Sequence, residues 1–233
     1  MRLDHYLVSH SPYSRRDLYR WLTAGLIYHN NTLCTQLTQR VHHNDSIRVD
    51  QDDIRVKLPS VFRLYAYHKP PGVIATRKDP KGRRCLDSVC DRCPAPVFPV
   101  GRLDRASSGL LLLTNNGALA QRLMHPQYET PKYYTIILNK RLTPAHQTQL
   151  CSGLFLDDGP VRFDTLDAVQ QSPPTYTICL HSGRNRIIRR SFDALGYHVL
   201  ALTRTQIGPI TLGSLRVNAI QDRSDDMALL SRS

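Results

Sequence analysis

Two rhythms of apolar residues run along this chain, one helical and one extended. Near the start, Leu3, Tyr6 and Leu7 mark one helical stripe, and Leu18, Trp21 and Leu22 mark a second. Ser14 and Asp17 stand at capping-box spacing ahead of the second helix, and Gly25 stops it. A short strand is expected at Leu26-Ile27-Tyr28, a turn at His29-Asn30-Asn31 and another strand at Asp45-Ser46-Ile47-Arg48-Val49. Residues 1–50 thus predict a small helix-helix-strand domain. Residues 51–60 are polar, end in Leu58-Pro59-Ser60 and read as a linker.

Beyond the linker the rhythm becomes mainly extended, and residues 61–233 read as one larger domain. A strand-like run over residues 61–67 is broken by His68-Lys69-Pro70-Pro71-Gly72. Residues 76–96 are a basic stretch with prolines and cysteines, expected to be a mobile RNA-facing loop. Leu110-Leu111-Leu112-Leu113 predicts a buried strand, followed by a turn at Asn115-Asn116-Gly117 and a helix from about Ala118. A strand over 133–138 precedes a helix opened by Thr143-Pro144, a cap and first-turn proline in favourable order. Short strands are expected at Leu154-Phe155-Leu156, 161–166 and 176–180. A helix over 186–195 ends at Gly196, and strands over 198–203 and 210–212 follow. Strands outnumber helices without regular alternation. The expected fold class is therefore α+β, with a mixed, largely antiparallel sheet flanked by helices, rather than a doubly wound sheet.

Charge narrows the class of partner. The 233 residues hold 31 Lys plus Arg against 19 Asp plus Glu, a formal net charge of +12. Such a surplus favours a polyanion, because each phosphate neutralised releases condensed counterions. Met1-Arg2-Leu3-Asp4-His5 carries charge where a signal peptide would start its apolar core, and the longest aliphatic run is too short to cross a bilayer. A soluble, cytoplasmic monomer without a membrane partner is expected. Six cysteines, Cys34, Cys85, Cys90, Cys93, Cys151 and Cys179, are expected to be reduced. Cys90-Asp91-Arg92-Cys93 with Cys85 nearby is only half a metal site, so these read as thiols in a loop, and no metal or cofactor is expected.

The densest chemistry lies in Gly101-Arg102-Leu103-Asp104-Arg105-Ala106-Ser107-Ser108-Gly109. One carboxylate sits between two arginines on a glycine-bounded loop directly before the buried strand. A loop so held can aim Asp104 at a substrate. In the small domain, Arg15, Arg16 and Arg20 share the polar side of the second helix and, with Arg2, are candidates to grip RNA phosphates, against the bland alternative of a solvated charged face.

These segments resemble a known family. Arg-Leu-Asp at the start, then Ser-Arg-Arg, a Gly-Leu-Ile strand and Asp-Ser-Ile-Arg-Val are similar to the alpha-L RNA-binding module. Four segments of the larger domain resemble the RsuA-like branch of ribosomal RNA pseudouridine synthases. They are Tyr67-His68-Lys69-Pro70-Pro71-Gly72, the Asp104 loop, Lys132-Tyr133-Tyr134, and His181-Ser182-Gly183-Arg184-Asn185-Arg186-Ile187-Ile188-Arg189-Arg190. The resemblance implies isomerisation of a uridine in ribosomal RNA or a pre-ribosomal particle, with the base flipped from its stack at a cost of a few kcal/mol. It implies that Asp104 is the catalytic carboxylate, nucleophile or proton acceptor at the ribose, with Arg189 as its partner. It also implies that Tyr134 lies against the flipped base and assists proton removal.

By the same resemblance Arg102, Lys132, Arg184, Arg186 and Leu202 are substrate-binding residues, with Leu202 equally readable as simple core. Arg190 reads as a phosphate clamp on a basic helix, and strand alternation turns Tyr133 away from Tyr134, toward the core. Arg105 is at a variable position. The chain departs from the family at Ile187 (usually Gln), Ser107 (usually Thr), Asn116 (usually Asp) and over residues 215–219, which lack the usual Pro-Gly turn. Two other functions stay open at this point: a non-catalytic RNA-binding or assembly factor on the same scaffold, and a synthase acting on another structured RNA.

Overall fold

A computed structural model describes residues 1–11, 13–57, 61–77, 79–170 and 172–231. The first helices are α1 (Leu3–His10) and α2 (Arg15–Thr23). The capping box forms: the Ser14 hydroxyl accepts from Asp17 N–H, and the Asp17 carboxylate accepts from Ser14 N–H. Strands β1 (Ile27–His29), β2 (Thr32–Leu33), β3 (Ser46–Val49) and β4 (Asp52–Arg55) make an antiparallel sheet in the order β2-β1-β3-β4. Asn30 and Asn31, both at positive φ, form the two-residue turn of the β1–β2 hairpin. Leu3, Leu7, Leu18, Ile27, Ile47 and Val49 pack into one core between helices and sheet.

The expected linker needs correction. Its first half is the strand β4, and Val56 is fully buried in the small domain's core. The alternation in Asp52-Asp53-Ile54-Arg55 is masked by acidic residues on the exposed side, which is why the stretch read as polar coil. Leu58-Pro59-Ser60 lie outside the described residues.

The larger domain is built on a nine-stranded sheet. In chain order come β5 (Leu64–Lys69), α3 (Asp87–Cys90), β6 (Phe98–Val100), β7 (Ser108–Thr114), α4 (Gly117–Met124) and β8 (Lys132–Leu138). Then follow α5 (Pro144–Ser152), β9 (Leu154–Leu156), β10 (Gly159–Val161), β11 (Thr165–Gln170), β12 (Thr175–Leu180) and α6 (Ile187–Ala194). The last elements are β13 (Val199–Ile207), β14 (Ile210–Thr211), β15 (Ile220–Asp222) and α7 (Met227–Ser231). The main sheet runs β11-β12-β8-β13-β7-β5-β15, with β14 on β13 and β6 on β7, and β9 with β10 forms a separate hairpin. Among these pairings only β13 with β7 is parallel, so the sheet is mixed and largely antiparallel.

Strand β7 explains its own sequence. Leu110 to Leu113 are all fully buried because both faces of the sheet are covered. Leu111 and Leu113 face a core shared with α3, α5 and α6, while Leu110 and Leu112 face α4 and α7. Each buried leucine contributes about 1.5–3 kcal/mol, so the strand is anchored along its length. On its β13 side β7 has two neighbours in turn, β13 at Ser108 and Gly109, then β6 from Leu112 onward. The Asp104 loop leaves β6 and enters β7 across that change of partner.

Several local expectations shift. Residues 76–96 contain α3, and Leu86, Val89, Cys90 and Cys93 are buried in the main core, so this is not a wholly mobile loop with surface thiols. Burial pushes the Cys90 thiol up to about 11, away from thiolate chemistry. Residue 78 lies outside the described residues. The run 161–166 divides between β10 and β11. Neither β15 nor α7 is expected from sequence, being three and five residues long and fixed mainly by tertiary partners such as β5.

Candidate active site

The site begins as one row of residues across the sheet. Tyr134 on β8 pairs with Arg204 on β13, Arg204 with Gly109 on β7, and Gly109 with Lys69 on β5. Paired residues share a face of the sheet, so Tyr134, Arg204 and Lys69 point the same way. Lys132 and Leu202, each two residues from a member of the row, join that face. Gly109 stands at φ +105°, and a Cβ there would lie 2.2 Å from the Arg204 carbonyl oxygen and 2.5 Å from its nitrogen. Only glycine lets β7 and β13 come this close.

The Asp104 loop is fastened over this row from behind. Ser107 N–H donates to the Asp104 carbonyl (3.0 Å), closing a turn. The buried Lys69 ammonium donates to the carbonyls of Ser107 (2.7 Å) and Pro70 (2.9 Å). Gly72 N–H donates to the Arg105 carbonyl (2.7 Å), and Arg105 Nε donates back to the Gly72 carbonyl (3.3 Å). The Lys69-Pro70-Pro71-Gly72 break is therefore the loop's clamp. Arg105 belongs to this clamp.

A cleft of about 360 Å³ opens above the row. All eight residues expected to carry catalysis or substrate binding line it: Asp104, Tyr134, Arg189, Arg102, Lys132, Arg184, Arg186 and Leu202. Asp104 is half-buried, and its carboxylate makes no hydrogen bond or ion pair among the described residues. Tyr134 is 7% exposed and lies on the cleft side. Tyr133 points the other way but is 36% exposed, so it is a surface side chain rather than the expected core tyrosine. Leu202 is both buried in the main core and part of the cleft wall, and the two readings of it are compatible.

Three expected partnerships differ from expectation. Arg189 is not ion-paired with Asp104: its Nη1 donates to the Val199 carbonyl (2.7 Å), while Nε and Nη2 are buried without a partner among the described residues. Burial pulls the Arg189 pKa down, Arg186 adds to that and Asp104 opposes it, so the two charges still sense each other. Lys132 donates to the carbonyls of Thr130 (2.8 Å) and His181 (3.1 Å), which leaves a single N–H for a ligand. Arg184 and Arg190 are tied to the β9–β10 hairpin. Arg184 donates to the Asp158 carboxylate (3.1 Å) and to the carbonyls of Asp158 (2.7 Å) and Pro160 (2.6 Å). Arg190 makes a two-pronged contact with the same carboxylate. They are structural pins in this state, not open phosphate clamps.

Arg102 and Arg186 differ from that pair. Both are exposed on the cleft rim, and their side chains make no hydrogen bond or ion pair among the described residues. Arg186 is held in left-handed backbone (φ 47°) just before α6, a conformation that costs a non-glycine residue of order 1 kcal/mol.

Sequence reasoning missed Lys69, Ser107 and Arg204 as site residues. Arg204 is 4% exposed, donates from Nε to the Leu110 carbonyl (2.8 Å) and keeps Nη2 unpartnered. Its signal was parity, since it lies two residues after Leu202 on one strand. Burial, reinforced by the Arg204 charge, lowers both Lys69 and Lys132 to about 8, with Asp104 pulling Lys69 the other way. A wider cleft of about 440 Å³ surrounds Tyr67, Arg84, Arg92 and Asn218. Its carboxylates, Asp87 and Asp91, face Arg77 at 3.7 Å, and it lacks the isolated acid that marks the Asp104 cleft.

The chain is similar to known proteins. Residues 63–194 match the family model described as RNA pseudouridylate synthase. An uncharacterized RNA pseudouridine synthase of Mycobacterium bovis is 36% identical over 99% of this chain and 92% of its own length. The chain belongs to the RNA pseudouridine synthase family. Within it, the synthase is similar to proteins named ribosomal large subunit pseudouridine synthase B. That of Bacillus subtilis is 34% identical over 92% of this chain and 88% of its own, and that of Pseudomonas aeruginosa 38% over 86% and 53%. These relatives support the RsuA-like branch. A crystal structure of a pseudouridylate synthase superposes with a TM-score of 0.70 over 99% of both chains at 20% identity, which supports the synthase fold.

In the small domain, Arg2 and Arg15 converge on one buried carboxylate. Arg2 holds Asp4 at 2.9 Å and Arg15 approaches it at 3.7 Å. Arg20 leans toward Asp17 at 3.5 Å, and Arg16 is exposed without a partner among the described residues. The four arginines expected to bind RNA are all exposed, with two acids to four cations.

Proposed function

We propose that this enzyme converts a uridine of ribosomal RNA into pseudouridine, with the base turned out of its stack into the cleft and Asp104 as the reacting carboxylate. The observation that carries the assignment is an unpaired, half-buried Asp104 fixed by Lys69 above a row that ends at buried Tyr134. Asp104 acts at the ribose as nucleophile or proton acceptor while the bond from C1′ to N1 breaks. The freed uracil rotates, C1′ bonds to C5, the C5 proton leaves and N1 gains one. Substrate and product are isomers, so the chemistry consumes no cofactor. Tyr134, against the base, assists removal of the C5 proton, and Leu202 packs on the ring.

Ribosomal RNA is favoured because the relatives of Bacillus subtilis and Pseudomonas aeruginosa are named for the large ribosomal subunit. Phosphate contacts from Arg102 and Arg186 at the rim, and from Arg2, Arg15, Arg16 and Arg20 upstream, offset the few kcal/mol of unstacking. The test is incubation of the full chain with ribosomal RNA transcripts and with assembly particles, followed by mapping of pseudouridine. One modified uridine is expected. Binding without modification of any of these RNAs would favour the assembly-factor alternative, and modification only of a different structured RNA would reject the ribosomal substrate.

A further inference from the structure

The β9–β10 hairpin is held to the cleft wall, yet it carries the most exposed large apolar side chain described. Phe155 is 82% exposed. It pairs across the hairpin with Pro160, also exposed, and Leu154 and Leu156 on either side turn inward to the main core. Arg162, two residues beyond Pro160, is on the same outward side. The tip is pinned: Asp158 takes Arg184 and Arg190 together, and Arg184 also grips the Pro160 carbonyl. Arg184 lines the cleft, so the pin places the hairpin tip at the cleft rim. At about 3.3 Å per residue, Phe155 lies roughly 10 Å along the strand from that tip.

Charge decides what kind of contact the hairpin makes. Arg162, Arg184 and Arg190 face Asp157, Asp158 and Asp164, three against three, and five of the six are ion-paired with one another. A balanced patch gives little attraction for phosphate. A flat aromatic ring on a rigid support suits the face of an unpaired base, whose stacking needs no charge.

We propose that Phe155 is a stacking platform for an unpaired RNA base neighbouring the target uridine. It rests on the proposed function in taking RNA as the ligand and in placing a target uridine in the cleft. Stacking of this kind changes affinity by roughly 5- to 150-fold per base. Equilibrium binding of the substrate RNA to the full chain, with Phe155→Ala, Phe155→Leu and Phe155→Trp, tests it. Phe155→Ala and Phe155→Leu are expected to weaken binding by that factor with an unchanged slope of log Kd against log salt, and Phe155→Trp to keep it. RNA should also quench the added tryptophan signal of the Phe155→Trp variant against the Trp21 background of the wild type. Unchanged Kd in Phe155→Ala overturns the proposal and points to a protein as the hairpin's occupant. Full binding by Phe155→Leu, or an altered salt slope, overturns stacking as the mode. Because binding is read without turnover, absence of pseudouridine would reject the proposed function and leave this result standing.

Discussion

The floor and the rim of the cleft use cationic residues in opposite ways. Lys132 and Arg204 on the floor, and Lys69 buried behind it, are built into the sheet, and each donates to backbone carbonyl oxygen that fixes its position. On the rim, Arg102 and Arg186 are exposed and untethered. A charge that orients a reacting group must not move, because reorganisation at the moment of reaction raises the barrier. A charge that captures phosphates along a flexible strand works best when it can follow them. Arg184 and Arg190 show that location near the rim is not enough, since Asp158 already occupies both.

Breaking the floor should have the largest effect. Gly109→Ala places a methyl against the Arg204 backbone at 2.2 Å and strains a φ of +105°. It is expected to cost more than about 3 kcal/mol of stability and to abolish activity, measured by thermal unfolding and by pseudouridine formation. A stable, active Gly109→Ala would show that β7 and β13 need not approach so closely.

Charge on the floor should appear in the pH profile. Lys69 and Lys132 fall from the usual 10.5 to about 8, so their ammonium charge is present below pH 8 and lost above it. Activity at a fixed low RNA concentration should therefore decline as pH rises through about 8. The unfolded chain keeps those protons up to about 10.5, so folding stability rises over the same interval, and the decline is not unfolding. Lys69→Arg should weaken the decline, leaving the part due to Lys132. A rate flat to pH 9.5 in the wild type would remove Lys69 and Lys132 from the chemistry.

Much of the fold was legible because burial imposes period. The continuous leucines of β7 announced a strand covered on both faces, and Ser14, Asp17 and Thr143-Pro144 announced their helix starts. What stayed hidden depends on partners distant in sequence. The strand β4 was masked by acidic residues, and β15 is set by pairing with β5. The eight residues read as catalytic or substrate-binding line one cleft, while Arg2, Arg15, Arg16 and Arg20 lie in the small domain. Their partners were not legible: no local pattern shows that Asp158 binds Arg184 and Arg190, or that Lys69 reaches Ser107.

The rim should give smaller, graded effects. Arg102→Ala and Arg186→Ala are each expected to weaken RNA binding by several-fold and to reduce the slope of log Kd against log salt by about 1. Fluorescence anisotropy across a salt series checks this. A loss of rate without a change in that slope would move either arginine from the rim to the floor.

The central claim is that Asp104 performs the chemistry on RNA that other residues bind. Single-turnover conversion by Asp104→Asn, with RNA affinity measured in parallel, addresses it directly. Wild-type affinity with no pseudouridine formed is the predicted result. Conversion by Asp104→Asn at a rate near that of the wild type would contradict it.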